Sequence, residues 1–177
     1  FFFYIDGVYT IIDMATAYGT SLGLNTTGLL LALLLTQIVA FPASLTFAVL
    51  SKTKDTASLI KVAIIAYFLI ALFAIQLDKQ WEFWVLAVAV GCFQGGIQAL
   101  SRSYFAKIIP ENASGEYFGL FDICGKGASF LGTMLMGVVT QITGKQNLGV
   151  AALSIMFVIG YLIFNKVSKM DESSRRK

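Results

Sequence analysis

Residues 14–51 read MATAYGTSLGLNTTGLLLALLLTQIVAFPASLTFAVLS and contain no Asp, Glu, Lys or Arg. About 20 apolar residues are enough to cross a bilayer as a helix, so this run is too long for a single crossing. It contains a polar, glycine-rich stretch, GTSLGLNTTG at residues 19–28, which is typical of a turn. We therefore predict two membrane helices, about 1–20 and 26–50, and we expect Pro42 to kink the second.

The composition of the chain indicates the same environment. Of its 177 residues, 57% are apolar and 13% are charged, and the mean hydropathy is +0.77. A soluble domain of this length keeps much of its surface in water and has about twice this share of charged residues. We therefore predict that lipid surrounds most of the chain. The sequence begins with FFFYIDG, inside an apolar run and without a basic leader, so we expect a fragment of a longer protein.

Four further apolar segments follow, separated by short polar turns. They cover about 59–77, 82–104, 116–143 and 148–165. The predicted fold class is an all-α membrane protein: a bundle of six transmembrane helices over 1–165, followed by a charged, disordered tail over 166–177. Glycines in GCFQGG, residues 91–96, predict a close approach of the fourth helix to a neighbouring helix.

Lysine and arginine are distributed unevenly between the two sides of this predicted bundle. One side would hold Lys52, Lys54, Lys61, Arg102, Lys107, Lys166, Lys169, Arg175, Arg176 and Lys177, and the other Lys79 and Lys145. Cytoplasmic loops carry an excess of Lys and Arg, so we predict that the first side, with the C-terminal tail, is cytoplasmic. This bias also accounts for the net charge of +3, which therefore does not indicate a nucleic-acid partner.

Polar side chains recur at helical spacing within three of the predicted spans. They are Asp6, Thr10 and Asp13 in the first span, Gln94, Gln98, Ser101 and Arg102 in the fourth, and Asp122, Lys126, Ser129 and Thr133 in the fifth. Ionisable residues in a span usually face a partner or an aqueous cavity. We predict that the three stripes meet in a wet interior, and that Asp122 and Lys126, four residues apart, can pair. The structural alternative is that Arg102, Asp122 and Lys126 only secure helix ends.

The segments that carry these polar positions resemble a known family of transporters. Residues 95–132, GGIQALSRSYFAKIIPENASGEYFGLFDICGKGASFLG, resemble the stretch that joins the tenth and eleventh helices of the major facilitator superfamily. The motifs IDGVYTII, QALSRSYFAKIIP and EYFGLFDICGK are similar to the branch that includes fungal vacuolar amino-acid effluxers and their bacterial relatives. One departure is the loop SKTKDTAS, residues 51–58, where the superfamily has a signature richer in Gly, Asp and Arg.

The resemblance implies that the chain is the C-terminal half of a twelve-helix transporter. Its partners would be the N-terminal six-helix half of the same protein, the lipid bilayer and a small-molecule solute, with protons as candidate coupling ions. The implied activity is secondary active transport by rocking of the two halves about a central site. The implied location is the cell membrane, or the vacuolar membrane in a fungus.

The polar stripes then receive candidate roles in transport. We predict amino-acid efflux as the leading function, with Asp13 and Asp6 as proton- or ammonium-binding carboxylates, because burial raises the pKa of a carboxyl. Thr10 would line the same site. Gln94 and Gln98 would donate and accept hydrogen bonds with the solute, and Arg102, Asp122 and Lys126 would form a gating charge network.

Two other classes of function are open to the same residues. A membrane scaffold without transport activity would pair the polar stripes with one another in a dry interior. An intramembrane enzyme is disfavoured, because the chain has no histidine and because Asp6 and Asp13 share one helix, about 10 Å apart. Cys92 and Cys124 lie in separate apolar runs, so no disulfide, metal site or cofactor is predicted.

Overall fold

The computed structural model of the protein describes residues 1–110 and 113–175, with side-chain environments up to residue 173. These residues form helices and no strand: α1 Phe2–Ser21, α2 Thr26–Leu50, α3 Thr56–Ala74, α4 Gln80–Ile108, α5 Ser114–Lys126, α6 Phe130–Thr143 and α7 Gln146–Arg175. The predicted all-α membrane fold is confirmed. Arg176 and Lys177, assigned above to the cytoplasmic side, lie outside the described residues.

Five stretches of the described chain are long and apolar enough to cross a membrane. They are α2, α3, α4, the pair α5–α6 over Ser114–Thr143, and α7. The first helix, α1, is not among them, because Asp6, Asp13 and several threonines lower its hydropathy. Protein contacts surround α1 in place of lipid, since it contacts each of the other helices.

Aromatic hydroxyl groups anchor α1 to its neighbours. Tyr4 is almost fully buried, and its hydroxyl lies 2.7 Å from the Ser101 Oγ of α4. Near the other end of α1, the Tyr18 hydroxyl donates to the carbonyl oxygen of Ala74 in α3, also over 2.7 Å. A buried Tyr supplies a large apolar surface provided that its hydroxyl finds a partner. These two bonds therefore fix both ends of α1 in the core.

The predicted close approach of α4 is made to α2. A Cβ added at Gly91 would lie 2.7 Å from the carbonyl oxygen of Thr36, and one added at Gly95 would lie 3.2 Å from that of Ala40. The Thr36 hydroxyl lies 2.9 Å from the Ala32 carbonyl oxygen of its own helix and 3.2 Å from the Ala87 carbonyl oxygen across the interface, so its hydrogen bond is shared between the two helices. Small residues that bring helix backbones together are a common source of packing energy in membranes, where lipid is as apolar as the side chains.

The two largest departures from the predicted boundaries lie in the C-terminal part of the chain. The fifth predicted helix, 116–143, is divided into α5 and α6 by residues 127–129, where Ser129 adopts a left-handed conformation with φ 77°. The predicted tail, 166–177, is helical as far as Arg175 as the continuation of α7. This extension has a physical basis: residues 166–175 contain no Gly or Pro, and Asp171 of α7 accepts a hydrogen bond of 3.0 Å from the Tyr104 hydroxyl.

The outer surface of the bundle is apolar. Phe41 of α2 and Ile142 of α6 are 70% and 80% exposed, as expected of side chains that meet lipid or another apolar surface. Polar contacts occur at the ends of the helices; at one end, Lys107 of α4 donates to Thr56 Oγ1 at the start of α3 over 3.2 Å. The basic ends of α3, α4 and α7 therefore lie together, as the predicted topology requires.

Candidate functional site

An open cavity of about 470 Å³ lies where α1, α4 and α5 meet. Its lining is Phe1, Tyr9, Gln98, Ala99, Arg102, Phe121, Asp122, Gly125 and Lys126. Gln98, Arg102, Asp122 and Lys126 were singled out from the sequence, and the structure brings these four together. Such a volume is within the range of about 300–1,000 Å³ that is typical of ligand sites.

The charges in this cavity are arranged around Asp122 of α5. Its Oδ1 lies 3.6 Å from Nη2 of Arg102 in α4, and the two side chains are 48% and 61% exposed. Within the described residues, Asp122 therefore pairs with Arg102 and not with Lys126, although the i,i+4 spacing allows the latter pair. Exposed ion pairs of this kind contribute about 0–1 kcal/mol, so the contact can break and form at little cost.

Aromatic side chains join α5 to the rest of the cavity wall. Phe121 stacks on Phe1 with ring centroids 4.0 Å apart and on Phe105 of α4 at 4.8 Å. Phe118 lies edge-on to Phe105 at 5.7 Å, and the guanidinium of Arg102 lies over the Phe118 ring at 5.6 Å. No residue of α5 is fully buried, and these ring contacts and the ion pair join it to Phe1 and to α4.

Sequence reasoning missed the aromatic members of the lining. Tyr9 lies on α1 between Asp6 and Asp13, three residues after one and four before the other, so it shares their face of the helix. That spacing was a usable signal. Phe1 and Phe121 carried no comparable signal, because a phenylalanine in a membrane span is indistinguishable by sequence from a lipid-facing one.

The remaining candidates on α1 are divided between two environments. Asp6 and Thr10 are fully buried and face α6, so they lie outside the open cavity. Both carboxylate oxygens of Asp6 accept from the Gly132 N–H over 3.2 Å. Asp13, two turns further along α1, is exposed. Asp6, Thr10 and Asp13 share one face of α1, but the start of α6 covers this face only at Asp6 and Thr10.

Gln94 lies one turn before Gln98 on α4 and is half-buried. Its Oε1 is buried and accepts no hydrogen bond from the described residues. Such an acceptor costs free energy unless water or a ligand reaches it, which keeps Gln94 a candidate for solute contact. Metal chemistry has no comparable support: the described residues include no cluster of three His, Cys, Asp or Glu side chains suited to an ion.

Comparison with known proteins identifies the family of the chain. A sequence model described as "Vacuole effluxer Atg22 like" matches residues 1–176. The chain belongs to the Atg22-like vacuole effluxer family. The family resemblance seen in the three motifs is thereby confirmed, and the chain is a multi-pass membrane protein.

Similar proteins occur in a bacterium and in fungi. The chain is 45% identical, over 163 residues, to a Bacillus subtilis protein named as the uncharacterized MFS-type transporter YxiO; the match covers 92% of this chain and 38% of that protein. It is 34% identical over 95 residues to autophagy-related protein 22 of Eremothecium gossypii, covering 54% of this chain and 19% of the relative. For the Candida glabrata protein of the same name, identity is 35% over 92 residues, or 52% and 17% of the two chains.

The chain therefore spans less than half of the length of each of these relatives. No solved structure matches it significantly.

Proposed function

We propose that this six-helix unit is one half of a secondary transporter that moves a small polar solute, with an amino acid as the expected cargo, by alternating access. The observation that carries the proposal is the cavity at α1, α4 and α5, which has charged and amide side chains in a bundle whose outer surface is apolar. The family description names vacuole effluxers, and the Bacillus relative is named as an MFS-type transporter, which supports the same activity.

The charge pattern favours a zwitterionic solute. The cavity contains Arg102 and Lys126 as cations and Asp122 as a carboxylate. Arg102 is paired with Asp122, whereas the Lys126 ammonium forms no ion pair with a described residue and is available for a solute carboxylate. Asp13, which is exposed one turn beyond Tyr9 on α1 and does not itself line the cavity, is the carboxylate that we propose receives the solute ammonium or a proton. Gln98 would orient the solute through its amide.

Alternating access assigns a role to the weak Arg102–Asp122 contact. We propose that this pair, with Lys126, closes the cavity at the basic end of the bundle and opens when the two halves rock. We propose that this end, with the C-terminal end of α7, faces the cytoplasm; the excess of Lys and Arg there supports this orientation. Six further helices from the same protein would form the opposite wall of the cavity.

The proposal is tested in the full-length protein reconstituted into liposomes. Flux of radiolabelled amino acids is measured with and without an imposed pH gradient, for the parent and for Asp13→Asn. We expect Asp13→Asn to lose the component of flux that the gradient drives, because an amide cannot exchange a proton. Asp78→Asn is the matched control, since Asp78 is an exposed carboxylate in the turn between α3 and α4. Unchanged coupling in Asp13→Asn would refute the assignment of Asp13.

A further inference from the structure

The break between α5 and α6 leaves a helix N-terminus inside the protein. At Gly132, the third residue of α6, the chain is buried, and the preceding Ser129 makes no side-chain capping bond. The first N–H groups of a helix have no partner within the helix. Inside a membrane protein, where water does not replace them, each unsatisfied group costs several kcal/mol. A group from another part of the chain must therefore cap α6.

Asp6 of α1 is that group. Its carboxylate has no exposed surface, and the Gly132 N–H donates to Oδ1 and Oδ2 over 3.2 Å each. The backbone N–H groups of Ser129 and Leu131 also interact with this carboxylate. A carboxylate at a helix N-terminus is further stabilised by the helix dipole. Asp6 therefore supplies from α1 the cap that α6 lacks locally.

The fit between α1 and α6 is close beside this cap. Thr10, one turn after Asp6, fills the space that a side chain at position 132 would occupy, so only glycine is accommodated there. At the other side of the break, α5 has no fully buried residue and makes half-buried aromatic contacts and one exposed ion pair. The α6 N-terminus is thus anchored to α1, and α5 projects from it through residues 127–129.

We propose that Asp6 is a positioning residue: by capping α6 it fixes the α5–α6 break and so holds Asp122 and Lys126 of α5 at the cavity, without itself exchanging a proton or contacting the solute. The part of this inference that concerns gating rests on the proposed transport function. The part that concerns the position of α5 does not, and it can be measured separately.

The deciding variants are Asp6→Asn and Asp6→Ala in the full-length protein. The amide oxygen of Asn accepts backbone N–H groups as Asp does, and the two residues rank together as helix N-caps. Ala offers no acceptor. A proton carrier would be disabled equally by both substitutions, whereas a cap is lost only with Ala.

The first measurement does not depend on transport. Spin labels are placed at Ala106 of α4 and Gly119 of α5, which are both exposed, after Cys92 and Cys124 have been replaced by alanine. Double electron–electron resonance then gives the distribution of distances between the two helices. We expect Asp6→Asn to reproduce the parent distribution and Asp6→Ala to shift or broaden it. An altered distribution in Asp6→Asn, or an unaltered one in Asp6→Ala, would overturn the positioning role.

The second measurement is flux driven by a pH gradient in liposomes. We expect Asp6→Asn to keep the dependence on the gradient. We expect Asp6→Ala to lose flux by about tenfold, because the stranded Gly132 N–H disfavours the conformation in which α5 lies at the cavity. Loss of gradient-driven flux in Asp6→Asn with an unchanged distance distribution would identify Asp6 as a proton carrier and refute the proposal. Because Asn is isosteric with Asp, this variant decides the question even where Asp6→Ala does not fold. A parent protein that transports no solute would contradict the proposed function alone, and the distances would still decide the role of Asp6.

Discussion

Replacement of Gly91 by alanine tests whether the α2–α4 interface is as tightly closed as the structure shows. The new Cβ would lie 2.7 Å from the Thr36 carbonyl oxygen and 3.0 Å from the Val39 Cβ. The first of these atoms belongs to the backbone of α2, so relief requires the two helices to separate. Overpacking of this kind costs about 1–3 kcal/mol. Alanine also favours the helix by about 1 kcal/mol relative to glycine, which offsets part of that cost.

The matched control is Gly137→Ala in α6, where an added Cβ meets no atom within 4 Å. It receives the same gain in helix propensity without the steric conflict. The difference in unfolding free energy between the two variants therefore isolates the packing cost, expected at about 1–3 kcal/mol. Reversible unfolding of the full-length protein in mixed detergent micelles measures it. Equal stability of the two variants would show that the α2–α4 contact is looser than described.

Two further predictions concern contacts of α4. Tyr4→Phe should cost about 0.5–1.5 kcal/mol, because Ser101 still donates to the Ile97 carbonyl oxygen, whereas Ser101→Ala should cost about 1–3 kcal/mol by stranding the buried Tyr4 hydroxyl. Equal losses in micelle unfolding would contradict this asymmetry. Arg102→Asp and Asp122→Arg should each impair flux while changing stability by about 1 kcal/mol or less, since the pair is exposed. The double variant should recover part of the flux, and failure to recover any would exclude the pair as a gate.

The membrane helices could be predicted because apolar length is a direct requirement of the bilayer. The interval 26–50 agrees with α2, whose start is set by Asn25, which accepts a hydrogen bond from the Gly28 N–H. The interval 59–77 is displaced by three residues from α3, which begins after its cap Asp55. Hydropathy locates a span, and capping side chains set its ends.

The α5–α6 break could not be found in this way. Both halves are apolar, and the glycines of GKGAS at 125–129 are also common in uninterrupted membrane helices. What decides the break is a long-range contact, the capping of α6 by Asp6, which lies 126 residues away from Gly132. Similarly, the spacing of Asp6 and Asp13 puts them on one face of α1. Only the position of α6 buries Asp6 and leaves Asp13 exposed.

The central claim is that the cavity lined by Gln98 is reached by water and that its access changes sides during transport. Gln98→Cys in full-length protein without Cys92 and Cys124 tests it, with a membrane-impermeant maleimide applied separately to each face of oriented vesicles. The buried position Thr10→Cys provides the control and should react slowly from both faces. We predict that Gln98→Cys is labelled from one face at a time and that a transported amino acid changes the preferred face. Absence of labelling from either face, with and without solute, would contradict the account and favour a scaffold with a dry interior.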